Sequence, residues 1–333
     1  MPLLRMKKSK ESPIIEVKDL QTWFPVKTGL LGRTSHYIKA VDKVNLRVNA
    51  REIVALVGES GCGKSTLGSS LAGLLPVRGG QLFYRGMPAL KNNRLQRSVF
   101  QNKVQVIFQD PYSCLNPKHT VYEILSFPLL HHQVCAREEV TDYIAHLLEQ
   151  VGMSPDYMNR YPHSFSGGQR QRISIARAIG MKPELMICDE IVSSLDVSIQ
   201  AQVVELLLEL REKLGLSLLF IAHDLSLVRT LSDRLYVMYL GKIVESGKTG
   251  EVLSAPFHPY TRALVQSVPT LDRNRPPVVL EGEVPSFSNM PQGCSFQNRC
   301  SHRSDACLKE PGLSPKGERE VRCFHPVGRM NGS

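Results

Sequence analysis

A glycine-rich loop that ends in a lysine and two hydroxyl residues carries the clearest chemical signal in this sequence. The loop consists of Gly58, Glu59, Ser60, Gly61, Cys62, Gly63, Lys64, Ser65 and Thr66, which fit the pattern G-x-x-x-x-G-K-[ST]. Glycines allow backbone N–H groups to turn towards phosphate oxygens, and the start of a following helix adds partial positive charge. We expect Lys64 to reach the β- and γ-phosphates of a nucleotide and Ser65 to bind Mg²⁺.

Two adjacent carboxylates form the second candidate group. The segment LMICDE at 185–190 is apolar and ends in Asp189 and Glu190, about 125 residues after the loop. Asp189 is suited to hold Mg²⁺ through its water shell, and Glu190 to polarise an attacking water as a general base. Such a pair more often caps a strand end in solvent, but its place after a phosphate-binding loop favours catalysis.

Four shorter motifs accompany the loop and the acidic pair. They are Gln109 in VIFQDP, Ser166-Gly167-Gly168-Gln169 after Phe165, Ser194-Leu195-Asp196, and His223 in FIAHD. Alone, SGGQ would be a plain helix N-cap and His223 a structural histidine. Together and in this order, they closely resemble the signature, Q-, D- and H-loops of ABC ATPases over roughly residues 14–250. The resemblance implies an α/β, ABC-type P-loop ATPase cassette with an antiparallel β part and a helical insertion.

The resemblance also implies roles in ATP hydrolysis. Glu190, His223, Gln109 and Lys64 would be catalytic, and Ser65, Gln109 and Asp189 would hold Mg²⁺. The residues expected to contact ATP are Phe24, Gly58, Ser60, Gly61, Cys62, Gly63, Lys64, Ser65, Thr66, Gln109, Asp189, Ser166, Gly167, Gly168, Gln169 and Asp196. In this family the signature completes the ATP site of a second cassette, so that two ATP molecules lie between two cassettes.

An aromatic side chain upstream of the loop stacks on adenine in this family. Phe24 is our choice, with Trp23 and Tyr37 as alternatives. Two positions depart from the family pattern, since Phe165 replaces the usual leucine and Ile191 stands where proline is common. Neither change removes a catalytic group, so the sequence predicts a hydrolytically competent site.

Alternating strand and helix patterns must position these motifs. EIVALVG and ELMICDE are apolar strands that end at the loop and at the acidic pair, whereas KSTLGSSLAGLL and RQRISIARAIG have helical patterns. This alternation predicts an α/β sheet domain, with a helical insertion at about 111–168. We predict a flexible tail at 1–13, a cassette at 14–250 and, where prolines become frequent, a C-terminal region at 251–333.

Half of the eight cysteines lie in the C-terminal region, at Cys294, Cys300, Cys307 and Cys323. The C-x₂₋₄-C knuckle of structural zinc is absent from their spacing. Four thiolates suit an iron–sulfur cluster better, with zinc, free thiols or a labile disulfide as alternatives. With FHPYTRAL and GEVPS, the region resembles the C-terminal extension of oligopeptide and dipeptide ABC ATPases, and this resemblance implies a small Cys-rich domain with a [4Fe–4S] cluster.

Composition narrows the class of protein. The chain has 42% hydrophobic residues but no run of about 18 apolar residues, so we expect no membrane span. No apolar segment follows the basic N-terminus, so we expect no secretory signal. The net charge of +10 is spread along the chain, and no basic–aromatic pattern indicates nucleic-acid binding.

The sequence thus predicts an ATP-hydrolysing subunit of an ABC importer at the cytoplasmic face of the membrane, most like those for di- and oligopeptides. Expected partners are a second ATPase subunit, taken to be a paralogue, two transmembrane permease subunits and an extracytoplasmic solute-binding protein. Nickel or another small solute is the alternative cargo. A soluble ABC ATPase acting on DNA or ribosomes fits a single cassette less well, and a module that only binds ATP would not need Glu190 and His223.

Overall fold

The described chain folds around a central sheet of eight strands, with a smaller antiparallel sheet beside it. The computed structural model describes residues 12–28, 33–91, 94–96, 102–110, 114–193, 195–268, 282–283 and 285–328. Outside the described residues lie most of the expected tail, Ser194 and, in the C-terminal region, 269–281, 284 and 329–333. The strands are β1 (Ile15–Thr28), β2 (Arg33–Val48), β3 (Ile53–Val57), β4 (Gly79–Tyr84), β5 (Met87–Pro88), β6 (Leu90–Lys91), β7 (Arg94–Leu95), β8 (Val104–Ile107), β9 (Leu185–Asp189), β10 (Ser217–Ala222), β11 (Arg234–Tyr239), β12 (Lys242–Lys248), β13 (Ser314–Lys316) and β14 (Arg319–Val321). The helices are α1 (Lys64–Leu71), α2 (Val121–His131), α3 (Val140–Gln150), α4 (Gly167–Gly180), α5 (Val197–Leu214), α6 (Leu225–Leu231), α7 (Thr249–Ser254) and α8 (Pro259–Ser267).

Parallel strands in the middle of the central sheet fix where the motifs meet. The strand order is β13-β14-β12-β11-β3-β10-β9-β8, and β11, β3, β10, β9 and β8 run parallel to one another. Every residue of β3, β9 and β10 is buried, as expected for parallel strands covered on both faces. The carboxyl ends of β3, β10, β9 and β8 therefore share one edge, where ligands bind in sheets of this kind.

The antiparallel sheet, in the order β2-β1-β4-β5, packs with helix α1 against one face of the central sheet. A hydrogen bond of 2.8 Å between the buried hydroxyls of Thr22 and Ser70 joins β1 to α1. Gly68 lets α1 approach the central sheet closely, because a Cβ there would lie 2.9 Å from Cδ1 of Ile221. Helix α1 is thus held between the two sheets, and its first residue, Lys64, has a fixed position.

Helices fill most of the described part of the predicted insertion. Helices α2 and α3 pack against each other and against α4, which follows the SGGQ motif. Helix α2 begins with a capping box between Thr120 and Glu123, which satisfies backbone donors at its start. No helix in the described ranges has both the length and the apolar composition that crossing a bilayer requires.

The C-terminal region extends the central sheet. Strand β14 pairs with β12, with Glu245 opposite Val321, and β13 pairs with β14. Phe296 is buried in the same core cluster as residues of β3 and β9. A separate Cys-rich domain, expected from the sequence, is not shown by the described residues, because this region uses an edge of the central sheet and part of its core. The boundary at residue 250 stays a prediction.

Candidate active site

The glycine-rich loop connects β3 to α1 and encloses the Lys64 side chain. Gly63 has a φ of 108°, and a Cβ at this position would lie 2.1 Å from the carbonyl oxygen of Ala40, so only glycine fits. The buried Lys64 Nζ donates to the carbonyl oxygens of Gly58 at 2.8 Å and Glu59 at 3.0 Å. The ammonium group is therefore held over the loop, where the sequence predicts the phosphates.

The acidic pair lies beside this lysine. The Ser65 hydroxyl donates to Asp189 Oδ1 at 3.0 Å, so two hard oxygen donors of the kind that Mg²⁺ prefers are in contact. Glu190 Oε1 lies 3.9 Å from Lys64 Nζ, and Glu190 Oε2 lies 3.9 Å from His223 Nδ1. The structure thus brings together five of the predicted residues from three separate loops.

Backbone geometry sets the direction of Glu190. Its φ of 47° is in the left-handed region, which is uncommon for residues other than glycine. Its N–H donates to the carbonyl oxygen of Ile221 in β10 at 3.0 Å, so the neighbouring strand fixes this turn. The hydroxyl of Ser193 donates to the carbonyl oxygen of Glu190 at 2.8 Å and closes the turn from the other side.

Gln109 follows β8 and reaches the same edge through a residue that the sequence did not single out. Gln109 Nε2 donates to Ser193 Oγ at 3.3 Å, and Ser193 in turn bonds to the backbone of Glu190. The only sequence signal for Ser193 is a hydroxyl residue three positions after Glu190, a spacing that suits a side-chain-to-backbone turn. Ser193 therefore links Gln109, an expected Mg²⁺ ligand, to Glu190, the expected general base.

Burial alters the acidity of two groups in the site. Burial raises the pKa of Asp189, as does the nearby Glu190 carboxylate, while the hydrogen bond from Ser65 and the charge of Lys64 oppose this rise. A carboxylate that is poorly hydrated in this way is a good partner for a cation. Burial also raises the pKa of the Cys62 thiol, while the charge of Lys64 opposes this rise.

The SGGQ motif forms the start of α4. Ser166 and Gln169 make a capping box, in which each side chain accepts from the backbone N–H of the other residue. Gly168 packs against α5, since a Cβ there would lie 2.5 Å from Cγ2 of Ile199. Asp196, just before α5, is exposed. The structure shows the capping role of this motif, and its contact with a nucleotide on a second cassette stays a prediction.

The candidate aromatic residues differ in their surroundings. Arg78 lies over the rings of both Trp23 and Tyr37, 4.8 and 3.9 Å from the ring centroids, and Lys39 also lies over Trp23. Phe24 is 36% exposed on β1. Tyr37 is 37% exposed, so exposure does not separate these two; Phe24 remains our choice for adenine because Arg78 lies over both alternatives, and this assignment stays a prediction.

The four C-terminal cysteines line one small cavity together with His258, Phe296 and His325. The N–H of Cys294 donates to the carbonyl oxygen of Cys307 at 2.9 Å. Burial raises the pKa of Cys294 and Cys300, and that of Cys323 to about 11. Within the described ranges, however, no three His, Cys, Asp or Glu side chains are arranged to hold a metal ion. The structure therefore brings the four thiols to one cavity but does not show the expected cluster site or a separate ligand set.

Two family models match separate parts of the chain, and relatives match more than nine tenths of it. Residues 41–193 match the model described as ABC transporter, and residues 244–307 match the oligopeptide/dipeptide transporter, C-terminal region. The chain is 44% identical over 311 residues to the oligopeptide transport ATP-binding protein AppF of Bacillus subtilis (strain 168), covering 92% of this chain and 94% of that protein. It is 42% identical over 317 residues to the dipeptide transport ATP-binding protein DppF of Escherichia coli (strain K12), covering 94% and 95%.

Solved structures agree with the fold. The ATP-binding cassette MJ0796, in a dimeric post-hydrolysis state bound to ADP and Pi, is 25% identical with a TM-score of 0.60, covering 71% of this chain and 98% of that chain. CbiO1 of Clostridium perfringens, part of the ABC transporter complex cbiONQ, is 25% identical with a TM-score of 0.61, covering 73% and 92%. The fold is that of an ABC-type ATPase cassette, which confirms the predicted fold class. This chain belongs to the ATP-binding proteins of the ABC transporter family, and it hydrolyses ATP.

Proposed function

We propose that this chain supplies the energy for an ABC importer of oligopeptides or dipeptides. The observation that carries the proposal is 42–44% identity to oligopeptide and dipeptide transport proteins over more than nine tenths of both chains. The match of residues 244–307 to the C-terminal region of such transporters supports the same cargo. Nickel, another small solute and a role outside transport are less favoured, because the relatives named above are peptide transport proteins.

The geometry supports a division of labour in hydrolysis. Lys64 neutralises phosphate charge, and Ser65 with Asp189 would hold Mg²⁺, which would supply further shielding of the phosphates. Glu190 accepts the proton of the attacking water, because it is the carboxylate next to the proposed Mg²⁺ ligand Asp189, with Lys64 Nζ and His223 Nδ1 each 3.9 Å from its oxygens. Gln109 connects to Glu190 through Ser193, so a movement of Gln109 at the end of β8 can shift the position of the general base.

The proposed partners and location follow from the assignment of this chain to a peptide importer. We place the chain peripherally, at the cytoplasmic face of the membrane, against two permease subunits and a second ATPase subunit that is a paralogue. A solute-binding protein outside the membrane would deliver the cargo. The dimeric state of MJ0796 supports pairing of two cassettes. The exposed Ser166 and Asp196 are then available to the partner's nucleotide.

Uptake measurements in whole cells test the cargo. Cells that carry Lys64→Ala in place of the normal chain should lose uptake of labelled di- and oligopeptides, and keep uptake of nickel. Affinity purification from a detergent extract should recover two permease subunits and a second ATPase. Loss of nickel uptake with peptide uptake intact would overturn the peptide assignment, and recovery without any membrane protein would overturn transport.

We also propose that the four C-terminal cysteines ligate a [4Fe–4S] cluster, with zinc as the alternative. Their convergence on one cavity supports this, although the side chains would have to rearrange and the thiols ionise. Protein purified without oxygen should then be brown and contain about four irons per chain, and Cys307→Ser should bleach it. Colourless protein with about one zinc per chain would favour zinc, and protein with neither metal would overturn ligation.

A further inference from the structure

The C-terminal region contacts the glycine-rich loop directly, through Glu59. The N–H of Glu59 donates to the hydroxyl of Tyr260 in α8 at 2.9 Å. The carboxylate of Glu59 accepts two hydrogen bonds from Arg299, with Nη1–Oε2 at 2.7 Å and Nη2–Oε1 at 3.0 Å. Both the backbone and the side chain of this loop residue are therefore held from outside the cassette's phosphate-binding segment.

These contacts are built into the core. The Arg299 side chain is 5% exposed, that of Glu59 is 21% exposed, and Tyr260 is fully buried. The rings of Tyr239, Tyr260 and Phe296 pack on one another, with centroid separations of 4.6–5.4 Å. A planar, bidentate arginine–carboxylate pair that packing holds in place is strong and specific in direction.

The charge of Glu59 makes this pair relevant to nucleotide binding. Glu59 also holds the phosphate-binding lysine, because its carbonyl oxygen accepts a hydrogen bond from Lys64 Nζ at 3.0 Å. The Glu59 carboxylate is therefore part of a residue that contacts this lysine. An unpaired carboxylate at this position would repel phosphate groups in the loop, and partial burial would reduce its screening by solvent. Arg299 neutralises this charge and fixes its direction.

We infer that Arg299 and Tyr260 are positioning residues for ATP binding, through which the C-terminal region holds the phosphate-binding loop and neutralises Glu59. The inference rests on the proposed role of that loop. Arg299 ends a short 3₁₀ turn, Gln297–Arg299, and directly precedes Cys300. Gln297 and Cys300 line the cysteine cavity, whereas Arg299 contacts Glu59, so this one turn contacts both the cavity and the phosphate-binding loop.

Equilibrium ATP binding by the full-length chain tests this inference. Arg299→Ala should weaken ATP binding about tenfold, the size of effect expected when a charged hydrogen-bond partner is lost. ADP should lose less affinity than ATP, because it carries less negative charge. Adding Glu59→Gln to Arg299→Ala should restore most of the affinity, since it removes the unpaired charge. Arg303→Ala, at an exposed arginine of the same region, is the matched control and should bind as the wild type does.

Three outcomes would overturn the inference, and a fourth would instead overturn the loop assignment. Wild-type ATP binding by Arg299→Ala would overturn it, and so would a double variant as weak as the single one, since a purely structural defect is not rescued by Glu59→Gln. If Arg299→Ala does not fold, Tyr260→Phe should still weaken ATP binding a few-fold, and unchanged binding would count against the inference. Wild-type binding by Lys64→Ala would instead overturn the loop assignment itself.

Discussion

Replacing Glu245 should release the C-terminal region from the central sheet. The Glu245 side chain is wholly buried on β12 and accepts from the N–H groups of Phe257 and His258, each at 2.9 Å, and from Arg319. The Arg319 guanidinium also lies over the Phe257 ring, 3.7 Å from its centroid. Glu245→Ala therefore leaves a buried arginine and two backbone donors without their acceptor.

The expected loss of stability follows from these three contacts. Removing one partner of a buried ion pair lowers the free energy of unfolding by about 3–5 kcal/mol. Each buried donor left unsatisfied adds about 1–3 kcal/mol, but losses within one network overlap. We expect about 4 kcal/mol for Glu245→Ala in total. Glu245→Gln keeps one of the two oxygen acceptors and turns an amide donor towards the remaining partner, so about 2 kcal/mol is expected.

Urea unfolding and limited proteolysis check this prediction. The midpoint for Glu245→Ala should fall clearly below that of wild type, and protease should cut the C-terminal region first. ATP affinity should fall as well, because α8 carries Tyr260. Glu318→Ala, an exposed glutamate beside β14, is the control and should change neither property. Equal midpoints and equal cleavage rates for Glu245→Ala and Glu318→Ala would refute the reasoning.

Three further predictions concern catalysis, pairing and pH. Glu190→Gln should bind ATP yet lose about 10²–10⁴ in single-turnover rate, because the amide cannot accept the proton of water; a rate within a few-fold of wild type would contradict this role. Where two copies of this chain pair, mixing Lys64→Ala with Ser166→Arg subunits should restore part of the ATPase activity, since one composite site stays intact; a mixture no more active than either variant would argue against shared sites between copies, and the same pair of changes would then be divided between this chain and its proposed paralogue. Burial lowers the pKa of His258 from 6.5 to about 3, so the unfolded state binds the proton first as pH falls. Titration of His258 therefore costs no stability above pH 6.5, and it lowers the free energy of unfolding by about 2 kcal/mol at pH 5. His258→Asn should make thermal unfolding less dependent on pH over this range, and an unchanged pH profile would count against the assignment.

Local sequence determined the loop, the acidic pair and their order. The glycine pattern before Lys64 and the apolar strand before Asp189 are short-range signals, because backbone freedom and strand burial are properties of a few neighbouring residues. Parallel strands then place the ends of β3, β8, β9 and β10 at one edge. The meeting of Glu190 with His223 therefore follows from motif order once the sheet is known.

Tertiary structure alone decided the contacts between distant segments. Arg299 and Glu59 are 240 residues apart, and no periodicity relates them. The strands β13 and β14 have three residues each, too few for a strand pattern; β14 forms by pairing with β12, and β13 by pairing with β14. Such contacts depend on which buried surfaces remain open after the cassette folds, so the sequence showed four cysteines and a proline-rich region but not the arginine that joins them to the phosphate-binding loop.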